Sequence, residues 1–178
     1  RRVFRGLMSC AEVSGVPGFL ARAVSPFDGK SFYPSSSRDQ YTLFVYTMWQ
    51  FSRSPLCSPS RRAEIGKIVL DIARRTEMCM DEAHDFTLVR LDGRPGIVSK
   101  MWMEIRVKPN DSSPFPGHAW LEGGVWAHEA NRLPMIYAAA HALSGDARWR
   151  TLELKVADDA LRIAEGGISK ELKGFALY

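Results

Sequence analysis

The fold of this chain is decided by the stretch Tyr41-Thr42-Leu43-Phe44-Val45-Tyr46-Thr47-Met48-Trp49-Gln50-Phe51, which is apolar on nearly every side when wound as a helix. A helix without a polar face has to be surrounded by protein. We therefore expect it to form the inner wall of a layered helical structure. The polar segment Ser37-Arg38-Asp39-Gln40 precedes it. At this end of the helix, free backbone N–H groups and the positive end of the helix dipole would face a ligand bound at the opening of the inner wall.

Composition narrows the class of protein. The chain has 178 residues, of which 46% are hydrophobic, so it can form one domain with a sizeable core. Lys and Arg total 24 against 20 Asp and Glu, and this small excess is spread along the chain, with local pairs only at Arg61-Arg62 and Arg74-Arg75. Such a distribution is not typical of a nucleic-acid-binding surface, so we predict no nucleic-acid partner.

Two further sequence features exclude other classes. The three cysteines, Cys10, Cys57 and Cys79, show no CxxC spacing and are predicted to be free thiols. No apolar run approaches the ~20 residues that a membrane span needs, so no membrane partner is predicted.

The remaining pattern alternates between two kinds of helix. Helices are predicted over residues 1–14, 40–52, 60–77, 125–143 and 149–163, with short strands around 87–91 and 101–107. The second and fourth helices are apolar, and the others are amphipathic. This alternation predicts an all-α fold, an (α/α) toroid of helical hairpins with buried inner helices and half-exposed outer ones. Because both ends break off within helical or apolar patterns, we expect one domain over 1–178 that is a fragment, about half of a toroid.

Three segments resemble the six-hairpin glycosidase superfamily of (α/α) toroids: residues 35–42, 129–134 and 143–149. The last, Leu143-Ser144-Gly145-Asp146-Ala147-Arg148-Trp149, is similar to the TGD-x-(K/R)-(Y/W) turn that joins an inner to an outer helix in that superfamily. The resemblance implies carbohydrate chemistry, most often glycoside hydrolysis and sometimes elimination at a uronate. It supplies no shared catalytic motif, so the roles of residues have to come from their chemistry.

Hydrolysis of a glycosidic bond normally uses two carboxyl groups that flank it. In a toroid the sugar would lie in the cup at the N-terminal ends of the inner helices, which selects Asp39, Glu122 and Glu129 as candidate catalytic residues. Asp39 has an alternative role, because Asp is a preferred N-cap of helices.

Candidate substrate-binding residues surround the same cup. An arginine can hold a carboxylate through two hydrogen bonds, histidines can donate to an anionic sugar, and flat aromatic side chains can stack on pyranose rings. The set consists of Arg38, Gln40, Tyr41, His118, Trp120, Trp126 and His128. The alternative is that the tryptophans belong to the core and His128 to the surface. No tight metal-binding motif occurs among His118, Glu122 and His128, so neither a metal nor a cofactor is predicted.

The sequence favours a glycoside hydrolase acting on an oligo- or polysaccharide, with Asp39 as acid or base and Glu122 or Glu129 as its partner. One alternative is a polysaccharide lyase, in which Tyr41 or His118 takes a proton and Arg38 neutralises a uronate. Another is a glycan-binding or scaffold domain without turnover. The glycan, the compartment and the oligomeric state stay open.

Overall fold

A computed structural model describes residues 2–81, 83–84, 86–101, 107–109, 119–121 and 132–158. This part of the chain is mostly helical, which confirms the all-α class. Its helices are α1 (Arg2–Glu12), α2 (Arg38–Ser52), α3 (Pro59–Cys79), α4 (Arg132–Ser144) and α5 (147–158). Each lies within or overlaps a predicted helix, although residues 125–131 and 159–163 of two predictions are outside the described residues.

Two antiparallel pairs of short strands accompany the helices. β1 (Thr87–Val89) pairs with β2 (Pro95–Lys100), and β3 (Val107–Pro109) pairs with β4 (Ala119–Leu121). The strand predicted around 87–91 is confirmed as β1. The strand predicted around 101–107 overlaps β3 only at Val107, and residues 102–106 lie outside the described residues. β2 and β4 were not predicted, since turn-forming residues dominate their surroundings.

Local signals in the sequence set the ends of the helices. After α1, Gly15 takes a left-handed conformation with φ of 68° and donates its N–H to Glu12 O at 3.0 Å. Ser58 caps the N-terminus of α3, and Pro59 occupies the first helical position, where its missing N–H costs nothing. Pro134 is the third residue of α4 and so lies in the first turn, where a proline is tolerated.

The core forms where α2, α3 and α4 pack on one another. α3 is amphipathic, as predicted, with Ile65, Val69 and Ile72 buried and Arg62, Glu64, Lys67 and Arg74 exposed. The most deeply buried large side chains of the core are Trp149, Tyr41, Phe19, Leu20, Met48, Ile65, Ile72, Met101, Leu133 and Ile136. All three cysteines are free, as predicted, and Cys57 and Cys79 are buried.

The prediction that protein surrounds α2 on every side is wrong for the described structure. Tyr41, Val45 and Met48 are buried, but Leu43 and Tyr46 keep 64% and 50% of their surface exposed. One face of α2 therefore packs into the core, while an apolar strip on its other face meets solvent. Hydrophobic content alone indicated burial and could not indicate which side lacks a neighbour.

The connection between α1 and α2 is ordered and contributes to the core. Leu20 and Ala21 are buried, and the Ala21 N–H donates to Cys10 O at 2.8 Å. Further along, residues 25–31 form a tight turn with Phe27 at its tip, 99% exposed. Hydrogen bonds from the Ser31 hydroxyl and from the N–H groups of Lys30 and Ser31 lower the pKa of Asp28 and fix this turn.

The segment 143–149 joins α4 to α5. Gly145, with φ of 71°, ends α4, and Asp146 then accepts the Arg148 N–H at 2.9 Å. Trp149 is buried and stacks on Tyr137 of α4, with ring centroids 5.9 Å apart. The turn that resembles the superfamily motif therefore fixes α5 against α4 through an aromatic pair.

Candidate functional site

The N-terminus of α2 is built by three buried serines. Ser35, Ser36 and Ser37 are each less than a tenth exposed. Ser37 is the N-cap, with extended backbone, and its hydroxyl accepts the Gln40 N–H at 3.5 Å. The alternative reading of Asp39 as the N-cap is therefore wrong, because Ser37 has that role and Asp39 lies in the first turn.

Asp39 reaches across to a second helix. Its carboxylate Oδ1 forms an ion pair with Nη1 of Arg132, the first residue of α4. The Asp39 side chain is 58% exposed and that of Arg132 is 21% exposed. The N-terminal ends of α2 and α4, the two apolar helices, thus meet at one solvent-accessible carboxylate, where the positive ends of both helix dipoles are directed.

The other candidates on α2 have different environments. Arg38 and Gln40 are half-buried beside Asp39. Tyr41 is fully buried, and its hydroxyl accepts the Leu20 N–H at 3.1 Å. Burial raises the pKa of Tyr41. The prediction that Tyr41 binds substrate is wrong for this structure, because its ring is in the core and its hydroxyl serves the backbone of the 16–37 connection.

The second predicted cluster lies mostly outside the described residues. Trp120 is in β4, where its backbone is in register with Lys108 of β3. The remaining candidates, His118, Glu122, Trp126, His128 and Glu129, are outside the described residues. Of the candidates, the structure therefore places Arg38, Asp39 and Gln40 together.

Arg132 is the site residue that the sequence reasoning missed. It lies two positions before Pro134, a residue that favours the first turn of a helix. This spacing could have placed Arg132 at the start of α4 instead of inside the predicted helix 125–143, and hence at the same end as Asp39 if the two apolar helices run side by side. Its pairing with Asp39 joins residues 93 positions apart, which periodicity cannot show.

Within the described residues, no group of three or more His, Cys, Asp or Glu side chains could hold a metal ion. None of the described helices has both the length and the apolar character that crossing a membrane requires. Comparisons of the chain with protein-family models, with curated proteins and with solved structures found no match.

Proposed function

We propose that the chain is part of an (α/α) toroid that hydrolyses glycosidic bonds, with Asp39 in its active site. The observation that carries this proposal is the Asp39–Arg132 ion pair, which joins the N-terminal ends of the two apolar helices at an accessible carboxylate. A toroid whose inner helices are α2 and α4 would have its cup at this end. A further hairpin of such a toroid would also cover the exposed Leu43 and Tyr46 of α2.

The ion pair suggests how the two carboxyl roles divide. Because pairing with Arg132 requires the carboxylate form of Asp39, we assign Asp39 the role of base or nucleophile and leave the acid to Glu122 or Glu129. Glu129 precedes Arg132 by three positions. Glu129 is therefore closer in sequence than Glu122 to the residue that pairs with Asp39.

Hydrolysis is favoured over elimination by the environment of Tyr41. A lyase needs a Tyr or His that reaches the proton next to the uronate carboxyl, but Tyr41 is buried and its hydroxyl is engaged with the Leu20 N–H. An elimination would have to rely on His118 with Arg38. A glycan-binding domain without turnover is the remaining alternative and needs no second carboxyl.

The test is product analysis by mass spectrometry after the full-length protein is incubated with neutral and uronate-containing oligosaccharides. Asp39→Asn is the test variant. Asp71→Asn is a matched control, since Asp71 also pairs with an arginine, Arg74, at 2.9 Å but lies on α3. We expect products that have gained water, a loss of about 100-fold or more in rate for Asp39→Asn, and an unchanged rate for Asp71→Asn.

Other products would change the assignment. Unsaturated products would establish a lyase, and binding without products would establish a glycan-binding domain. Hydrolysis at full rate by Asp39→Asn would remove Asp39 from the active site.

A further inference from the structure

Charges on α3 are separated onto two flanks. Glu64 and Asp71 line the groove between α3 and α1, whereas Arg62 and Arg74 line the groove between α3 and α4. Lys67 borders both grooves. The flank toward α4 is therefore positively charged.

Two adjoining cavities on this flank form one continuous depression, which we call the basic groove. Their volumes are about 570 and 450 Å³, and they share Arg62 and Leu143. None of the lining residues in the described part of the chain carries a carboxyl group. The cationic members are Arg53, Arg62, Lys67 and Arg74, and the larger apolar ones are Trp49, Leu70 and Leu143.

Structural roles account for only part of this charge. The Arg62 Nε–H donates to Ser52 O, the last carbonyl of α2, at 2.9 Å. Arg74 is paired with Asp71. The side chains of Arg53 and Lys67 are exposed and form no hydrogen bond or ion pair within the described residues. These two cations, together with the free edge of the Arg62 guanidinium, are available to an anionic ligand.

The spacing of the cations suits a linear polymer with sparse charge. Along α3, Arg62, Lys67 and Arg74 are separated by about 7.5 and 10.5 Å, given a rise of about 1.5 Å per residue. Double-stranded DNA carries about one charge per 1.7 Å, so over the same length it would present about ten charges to three cations. An acidic polysaccharide, with one carboxylate or sulfate on each sugar or each second sugar, matches this spacing better.

We propose that the basic groove binds an acidic oligosaccharide. The choice of a glycan as the ligand rests on the proposed function, but the groove is separate from the Asp39 site. The part of the groove lined by Trp49, Arg53 and Leu143 lies at the C-terminal ends of α2 and α4, with Arg53 about 20 Å along α2 from Asp39. It would hold a distant part of the same polymer while the bond to be cleaved lies in the cup.

Binding can be measured by titration calorimetry with a hyaluronan hexasaccharide, which carries one carboxylate on each second sugar, as the probe. Arg53→Gln/Lys67→Gln removes the two available cations, and Arg5→Gln/Lys155→Gln removes the same charge from exposed positions outside the basic groove. We expect binding to weaken about tenfold or more in the first variant, with a shallower dependence on salt, and to be unchanged in the second. Cellohexaose, a neutral probe, should not bind there.

Each result has a distinct meaning. Equal weakening in both double variants, or equal binding of the neutral probe to the groove, would overturn the proposal, as would tighter binding of a single-stranded oligonucleotide at the same cations. If no glycan is hydrolysed but the hexasaccharide still requires Arg53 and Lys67, the proposed function fails and the basic groove stands.

Discussion

At the scale of single residues, backbone conformation and packing together exclude a side chain at Gly18. Its φ is 74°, and a Cβ there would lie 2.2 Å from the backbone oxygen of Asp71 on α3. Gly18→Ala should therefore lower the free energy of unfolding by about 2–5 kcal/mol, from left-handed strain plus the clash. Urea denaturation measures this change.

Gly15 provides the control for that substitution. Its φ is 68°, but a Cβ there would meet no atom within 4 Å. Gly15→Ala should cost only the conformational part, about 1–2 kcal/mol. Equal losses in the two variants would show that the 16–37 connection does not press on α3 as described.

Asp39 is expected to matter more for activity than for stability. Its side chain is 58% exposed, and ion pairs that are open to water contribute about 0–1 kcal/mol. Asp39→Asn should therefore unfold in urea with a loss below about 1 kcal/mol. A loss of several kcal/mol would make Asp39 a structural residue, and any fall in rate could then no longer be assigned to chemistry.

At the scale of secondary-structure elements, α3 depends on its cap. Ser58 accepts the Arg61 N–H and leads directly into Pro59. Ser58→Ala should lower the free energy of unfolding by about 1 kcal/mol, and Ser58→Asp should restore it, because a carboxylate also caps and complements the helix dipole. If Asp proved as harmful as Ala, the hydroxyl would have a role other than capping.

At the scale of the whole molecule, two buried tyrosines make the free energy of unfolding depend on pH in the alkaline range. Burial raises the pKa of Tyr41 and of Tyr137 above the ordinary value of 10.0. Above about pH 10 the unfolded chain loses phenolic protons that the folded chain keeps. The free energy of unfolding is therefore retained below about pH 10 and falls as the pH rises further.

Urea denaturation at a series of alkaline pH values tests this coupling. Tyr137→Phe should reduce the steepness of the fall, because one raised pKa is removed. Tyr46→Phe is the control, since Tyr46 is 50% exposed. A decline that is equally steep in Tyr137→Phe would contradict the assignment.

The sequence predicted those features of the fold that depend on residues close together in the chain. Periodicity placed the helices because its signal lies within a few residues of the chain. Partners distant in sequence were not predictable: the same pattern that identified α2 could not show that Tyr41 points to Leu20 while Leu43 meets solvent.

The candidate site likewise combines a feature that the sequence predicts with contacts that it does not. Asp39 was found from its place at a helix start, yet its contact with Arg132 depends on how α2 and α4 lie side by side. The capping role went to Ser37 instead, because the turn at 35–37 buries that hydroxyl at the first free N–H groups. Candidate residues could thus be identified from their local sequence, but the contacts between them depend on tertiary packing.

The turn that carries Phe27 offers a natural place to divide the chain. A protease that cuts after aromatic residues has ready access to Phe27, and contacts across the cut remain: the Leu20 N–H to the Tyr41 hydroxyl, the Phe19 and Phe32 rings, and Arg75 over Phe19. The nicked protein should elute as one species from a sizing column and separate only in denaturant; release of the first fragment in plain buffer would contradict this. Two separately produced pieces, one ending at Phe27 and the other beginning at the next residue, would then reassemble. Such a split protein could be used to detect when two molecules fused to its halves come together.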